Sequence, residues 1–209
     1  MRKILLILSV VFLNIVPKLS VAQNIRGVAI SGFNLCQVDG DRLYGFNRLG
    51  ANIGVGAIIP LGGKFSIHLE TIYSQKGSFQ GIQRDDSLSN GSYKLILDYL
   101  EVPVYANFYD PKGKMNIGMG FSWGRLARFE EYRHGFRQEY AKADIPYHSD
   151  DINWFVNFYI RVWSQLQLNF RYSYSLVKIR DKVFSDGEWR KQYNNFVTLR
   201  LMWVLGKEK

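Results

Sequence analysis

The sequence predicts an all-β protein, an eight-stranded antiparallel up-and-down transmembrane β-barrel. From residue 24 onward apolar residues recur with a period of two, eight segments show this alternation, and the connections between them are alternately short and long. A period of two is the spacing of side chains on one face of a strand. An even number of strands with unequal connections is typical of bacterial barrels that cross a membrane.

The N-terminal stretch predicts export. Two basic residues precede an apolar run from Ile4 to Leu13, and small residues follow at positions 20–22. This order is that of a secretory signal peptide, and the apolar run is shorter than the roughly 20 residues that a membrane-spanning helix needs. We therefore expect a signal peptide over residues 1–22 and one barrel domain over residues 23–209.

The eight strands follow from the alternation. The clearest covers residues 165–176, where Leu, Phe or Tyr at every second position alternates with Gln, Asn, Arg or Ser. The same two-faced pattern occurs over 114–124 and 152–161. The remaining predicted strands cover residues 25–36, 47–59, 64–79, 93–109 and 193–205.

The connections predict the orientation of the barrel. Short ones at 60–63, 110–113 and 162–164 contain turn residues, and the long ones cover 37–46, 80–92, 127–151 and 178–192. In bacterial barrels the short turns are periplasmic and the long loops are extracellular. The first long connection follows the first strand, so both termini are expected on the periplasmic side. The segment 127–151 is aromatic, and we expect it to extend a hairpin that turns at His134-Gly135.

A soluble eight-stranded barrel of the lipocalin type would also alternate. Here the apolar faces are nearly continuous, and the polar faces carry mostly Asn, Gln, Ser and Gly. Large aromatic residues near the strand ends suit an interfacial girdle: Tyr73, Tyr105, Tyr109, Trp123, Trp154, Tyr172, Tyr174 and Trp203. These features favour a barrel in the cell outer membrane, in contact with its lipid, and leave a lipocalin-like ligand-binding barrel as an alternative.

Charged residues in the middle of the polar faces predict an ionic network inside the barrel. They are Glu70, Glu101, Arg161, Arg171 and Arg200. An eight-stranded barrel has an interior just wide enough for side chains, where an unpaired charge is costly. We expect a structural network of carboxylates and guanidinium groups, with Glu70 and Glu101 on neighbouring strands as the acceptors.

The sequence predicts no catalytic, cofactor or metal site. A lipid-modifying outer-membrane enzyme would need His and Ser side chains that converge, and His68, His134 and His148 have no such context. Segment 148–151, His-Ser-Asp-Asp, and a metal set of Asp144, His148 and Asp150 are weak candidates, because adjacent residues point apart. The enzyme remains one alternative and a narrow channel another.

The charge distribution argues against a nucleic-acid partner, and the cysteine content excludes an intrachain disulfide. The formal net charge is +9, with acidic and basic residues interspersed rather than gathered on one face. A nucleic-acid-binding protein would concentrate its basic residues, so no nucleic acid is expected as a partner. Cys36 is the single cysteine, which excludes an intrachain disulfide.

Two motifs resemble a known family. HLETIYSQKG at residues 68–77 is followed by LDYLEVPV at residues 97–104. The ordered pair resembles the PorT-like outer-membrane β-barrel proteins of Bacteroidota, and Glu70 and Glu101 match the glutamates of the two motifs. The resemblance in layout covers about residues 24–205. It implies an eight-stranded barrel and, for the member that gives the family its name, an accessory role in type IX protein secretion, with envelope or secretion-system proteins as partners.

Overall fold

The computed structural model describes residues 25–81, 92–110, 115–140, 146–184 and 186–206. The predicted signal peptide lies outside these ranges. Within them no helix is long and apolar enough to cross a bilayer. The described residues form ten strands: β1 (Arg26–Asp39), β2 (Arg48–Gly62), β3 (Phe65–Gln80), β4 (Tyr93–Asp110), β5 (Met115–Arg133), β6 (Phe136–Arg137), β7 (Asp150–Arg161), β8 (Leu166–Ser175), β9 (Arg180–Val183) and β10 (Trp189–Val204).

Eight of these strands form a closed ring. Each pairs antiparallel with the next in the order β1, β2, β3, β4, β5, β7, β8 and β10. The ring closes where β10 pairs with β1, from Val28 opposite Val204 to Asp39 opposite Tyr193. A closed ring leaves no sheet edge unpaired. The predicted eight-stranded antiparallel up-and-down barrel is confirmed.

The two short strands lie outside the ring path, at the end where the long connections are. We call this end, with residues 40–47 and strands β6 and β9, the loop end; the turn end carries residues 62–64 and 162–165. The hairpin of β5 and β6 turns at His134 and Gly135, both with positive φ, as the sequence predicts. Strand β9 pairs with β10, which begins at Trp189 rather than at the predicted position 193.

The outer surface of the ring is apolar. Along β5 the outward side chains of Ile117, Met119 and Phe121 are 48%, 67% and 62% exposed, while the inward Ser122 is buried. A soluble barrel would cover its outside with polar groups, so the lipocalin-like alternative is not favoured. From Arg125 to Glu130 the outward residues of β5 are charged or small, and the strand continues beyond the apolar band into the loop end.

A bulge in β5 changes which of its residues face inward. The pairing between β4 and β5 shifts register so that Ala127 has no opposite residue. An extra residue in one strand exchanges its two faces. Before the bulge the even-numbered Ser122 and Gly124 are buried inside the ring, and after it Glu131 is. The bulge therefore directs a glutamate into the loop end of the interior.

Candidate functional site: the layered barrel interior

The interior is filled by side chains in layers. The turn-end apolar cluster contains Val28, Ile30, Ile58, Ile72, Tyr105, Phe155, Tyr159, Met202 and Val204. The loop-end apolar cluster contains Val38, Leu95, Leu97, Tyr99, Tyr147 and Ile179. The inward residues of β1 run through both, with the buried Asn34 and Cys36 between Ile30 and Val38. Charged groups are thus enclosed by protein rather than by an open aqueous channel.

The first ionic network joins β3, β8 and β10 within the turn-end half. Arg200 donates from Nη1 to Oε2 of Glu70 at 2.9 Å and from Nη2 to Oε1 at 3.3 Å. Arg171 donates from Nη2 to Oε2 at 3.1 Å, and the Tyr105 hydroxyl donates to Oε1 at 2.6 Å. All four side chains are buried, so the prediction that Tyr105 belongs to the outer aromatic girdle is wrong. The geometry is that of a carboxylate with both oxygens saturated by donors.

This network holds two guanidinium groups for one carboxylate. Neutral groups receive the remaining donors: Asn157 Oδ1 accepts from Nε of Arg171 at 2.7 Å, and Asn169 Oδ1 accepts from Nε of Arg200 at 2.8 Å. The Arg171 guanidinium also lies 3.9 Å from the ring centroid of Phe155. Amide oxygens and an aromatic face stabilise the surplus positive charge without a second acid.

The second network contains Glu101, whose partner the sequence prediction missed. The ammonium group of Lys76 lies 2.5 Å from Glu101 Oε1 and 2.8 Å from Asp151 Oδ2. Ser175 Oγ and Asn194 Nδ2 donate to the carboxylate of Asp151 at 2.6 and 2.8 Å. The single network expected around both glutamates is therefore two networks. Lys76 could have been found, because it lies an even number of residues from the inward glutamate of the same strand.

Arg161 occupies a different place from the other predicted residues. It is the last residue of β7 rather than a mid-strand residue, and its side chain is partly exposed at the turn end. Its guanidinium lies 5.3 Å from the ring centroid of Tyr109. The residue borders the entrance of the barrel at the turn end, which we call the turn-end mouth.

A third network closes the loop end and was not predicted. Glu131 accepts from Nη1 of Arg180 at 2.9 Å, from the hydroxyls of Tyr140 and Tyr147 at 2.7 and 3.0 Å, and from Arg133 at 2.8 and 3.0 Å. Burial alone would raise the pKa of Glu131, but the charge of Arg180 and these hydrogen bonds outweigh it and lower the pKa to about 2. We call this group the loop-end cap.

The residues of the weak His-Ser-Asp-Asp candidate do not converge. Asp150 points outward and accepts from Nη1 of Arg125 at 2.9 and 3.1 Å. Asp151 points inward to Lys76, and His148 is exposed at the loop end. His148, Ser149 and Asp150 border one open cavity at the loop end. Asp151 lies inside the barrel, because neighbours along a strand face opposite sides of the sheet, so the four residues do not form one site.

The other histidines and the metal candidate give no reactive cluster either. His68 is buried, with Nε2 3.0 Å from Ser66 Oγ, and His134 is exposed in the β5–β6 turn. Asp144 lies outside the described residues. Among the residues that the structure describes, no group of three or more His, Cys, Asp or Glu is arranged to hold a metal ion.

A closed ring with an apolar exterior and a polar, ion-paired interior defines an integral membrane β-barrel. The chain belongs to the family described as outer membrane protein beta-barrel domain, whose model matches residues 18–181. It is an outer-membrane β-barrel protein.

Several solved structures resemble this chain. Ail, the attachment invasion locus protein of Yersinia pestis, is 10% identical, with a TM-score of 0.46 over 86% of this chain and 99% of Ail. Neisserial surface protein A is 10% identical, with a TM-score of 0.48 over 86% and 96%. A major outer membrane protein from Thermus thermophilus is 8% identical, with a TM-score of 0.47 over 87% and 100%. No curated protein matches the chain in sequence.

Proposed function

We propose that this chain is a non-catalytic, non-conducting outer-membrane barrel that serves envelope structure or a secretion assembly through the surfaces at its two ends. The observation that supports this proposal is the layered interior, with two apolar clusters and three ionic networks. A channel needs a continuous polar path. An enzyme needs convergent reactive groups.

A conductance measurement tests the closed interior. The barrel, reconstituted in a planar bilayer at neutral pH, should show no steady single-channel steps, because the loop-end apolar cluster and the cap lie across the path. A porin inserted in the same bilayer serves as the positive control. Regular steps from the wild-type protein would contradict the proposal.

The secretion role is the finer form of the proposal, and it rests on the resemblance to PorT-like barrels. In this chain the two motifs meet inside the barrel, where Lys76 of the first pairs with Glu101 of the second. Glu70 of the first motif is held by Arg171 and Arg200. These motif residues support the barrel wall rather than a surface for partners, so a partner would bind the loop-end or turn-end surfaces.

Gene deletion tests the secretion role. The proteins released to the medium and displayed on the surface should be depleted in the deletion strain and restored by the wild-type gene. Unchanged export would refute the secretion role and leave the structural one. Lipid analysis of the same strains tests the enzyme alternative, since an altered acyl-chain pattern, reversed by complementation, would contradict a non-catalytic barrel.

A further inference from the structure

We infer that the turn-end mouth contains a binding pocket for a hydrogen phosphate or phosphomonoester group, a site that goes beyond the proposed function. A cavity of about 130 Å³ lies between the ends of β1, β2, β3, β4, β5, β7 and β8. One water needs roughly 10 to 15 Å³ of comparable space. The cavity therefore has room for a polyatomic ion.

The lining of this cavity is positively charged. It contains Arg26, Lys64 and Arg161, and none of the lining residues that the structure describes carries a carboxylate. Glu70, the nearest acid along β3, is two residues from His68 and is already bound by two guanidinium groups. Asp110 follows the lining residue Tyr109 at the end of β4 and is one carboxylate against three lining cations. A concave site of one charge sign at the edge of a low-dielectric wall attracts ions of the opposite sign. The charge of the cavity selects an anion.

Polar atoms without partners line the same cavity. His68 and Asn107 are each 3% exposed, and the atoms His68 Nδ1, Asn107 Oδ1 and Asn116 Oδ1 have no hydrogen-bond partner among the described residues. A buried polar atom without a partner is unfavourable, and an ion in the cavity would supply the missing partners. All three residues contribute to the lining.

The donors and acceptors define the class of anion. The Ser66 hydroxyl lies 3.0 Å from His68 Nε2. We assign the tautomer in which this hydroxyl donates to Nε2, so that the ring hydrogen is on Nδ1 and Nδ1 is a donor. The two asparagine oxygens accept. The ligand must therefore accept hydrogen bonds and also donate one. Hydrogen phosphate and the monoanion of a phosphomonoester do both, whereas sulfate has no proton to donate at neutral pH.

Titration calorimetry of the full barrel, refolded in a non-ionic, phosphate-free detergent, tests the site. Inorganic phosphate should bind saturably and at least about tenfold more tightly than sulfate at equal ionic strength, the difference that one charge-assisted hydrogen bond makes. His68→Phe keeps the ring but removes the donor, and Asn107→Leu removes an acceptor of similar size. Each should weaken phosphate binding about tenfold. Asn107→Leu should also reduce the preference over sulfate.

Controls separate local from global effects. Arg190→Gln removes an exposed loop-end cation and should leave phosphate affinity unchanged. Heat-modifiable gel mobility checks that each variant folds. If His68→Phe does not fold, the phosphate affinity of Asn107→Leu alone tests the pocket. Absence of saturable phosphate binding, equal affinity for sulfate, or equal affinity in the variants would overturn the inference. The proposed closed barrel is tested separately, by the conductance measurement.

A last arm distinguishes the source of the phosphate group. Short-chain phosphatidic acid, added to the same detergent, competes with inorganic phosphate if the pocket takes a lipid headgroup. If it does not compete while glycerol phosphate does, the ligand is a soluble phosphomonoester. Either result supports the pocket. Failure of both to compete with bound phosphate would contradict a site for phosphomonoesters and restrict it to the free ion.

Discussion

Replacing Lys76 with methionine should destabilise the barrel more than replacing either of its carboxylate partners. Lys76 is fully buried and its ammonium group contacts both Glu101 and Asp151. The cluster therefore has one positive and two negative charges. Lys76→Met leaves two buried carboxylates without their counter-ion, and removal of one member of a buried ion pair costs about 3 to 5 kcal/mol.

The carboxylate variants should behave differently. Glu101→Gln leaves Lys76 and Asp151 as a balanced pair and should cost only about 1 kcal/mol, the value of one hydrogen bond. Asp151→Asn should be intermediate, because this carboxylate also accepts from Ser175 and Asn194. The double variant Lys76→Met/Glu101→Gln should recover part of the loss, since one of the two unpaired charges is gone.

Urea unfolding of the barrel in lipid vesicles, followed by tryptophan fluorescence and by gel mobility, measures these differences from the midpoint and the slope. The expected order of destabilisation is Lys76→Met, then Asp151→Asn, then Glu101→Gln. A loss below about 1 kcal/mol for Lys76→Met would refute the reasoning, because it would place the cluster in contact with water. Glu101→Gln as costly as Lys76→Met would also refute it.

Further predictions concern the exterior, the wall and the cap. Val156→Arg on the apolar exterior should cost about 2 to 4 kcal/mol, whereas Val183→Arg on β9, outside the ring, should be neutral in the same unfolding assay; equal costs would mean that the exterior is not in lipid. Gly120→Ala should cost about 1 to 3 kcal/mol by overpacking, since the new Cβ would lie 2.2 Å from the Val104 carbonyl oxygen. Gly81→Ala is the control and should cost nothing, because its Cβ would have nothing within 4 Å. The carboxyl of Glu131, with a pKa lowered from 4.5 to about 2, contributes stability that is complete above about pH 4.5 and is lost as the pH falls towards 2. The acid dependence of the urea midpoint should shrink in Glu131→Gln, and an unchanged profile would show that the cap does not depend on this charge.

The alternation of residues was enough to predict the eight strands of the ring, and the aromatic segment 127–151 predicted the hairpin that turns at His134-Gly135. It was not enough to predict β9 or the early start of β10, because segment 178–192 is rich in charges and lacks a period of two. That hairpin is held by pairing between the two strands, with Arg180 opposite Gln192 and Val183 opposite Trp189. Such pairing depends on the neighbour across the hairpin rather than on a local pattern.

Only part of the interior could be predicted from the sequence, for a related reason. A period of two tells which residues face inward but not which inward residues lie at the same level, since the stagger between strands sets the level. Glu70 reaches Arg200, 130 residues away on a strand that is not its neighbour. The bulge at Ala127, which directs Glu131 inward, leaves no signal in the alternation of β5 itself. Which charges pair could therefore be determined only from the structure of the closed ring.

The pairing of β1 with β10 has a consequence for how the chain folds. The strand that completes the first one is the last to be synthesised, so almost the whole sequence separates two strands that must meet. Before they meet, β1 and β10 would each present an open edge of N–H and C=O groups, which lipid cannot satisfy. A barrel that lacks its final strand has no stable place in the bilayer, and a shortened chain should aggregate rather than insert. The barrel can therefore insert stably only when all eight ring strands are present to close it.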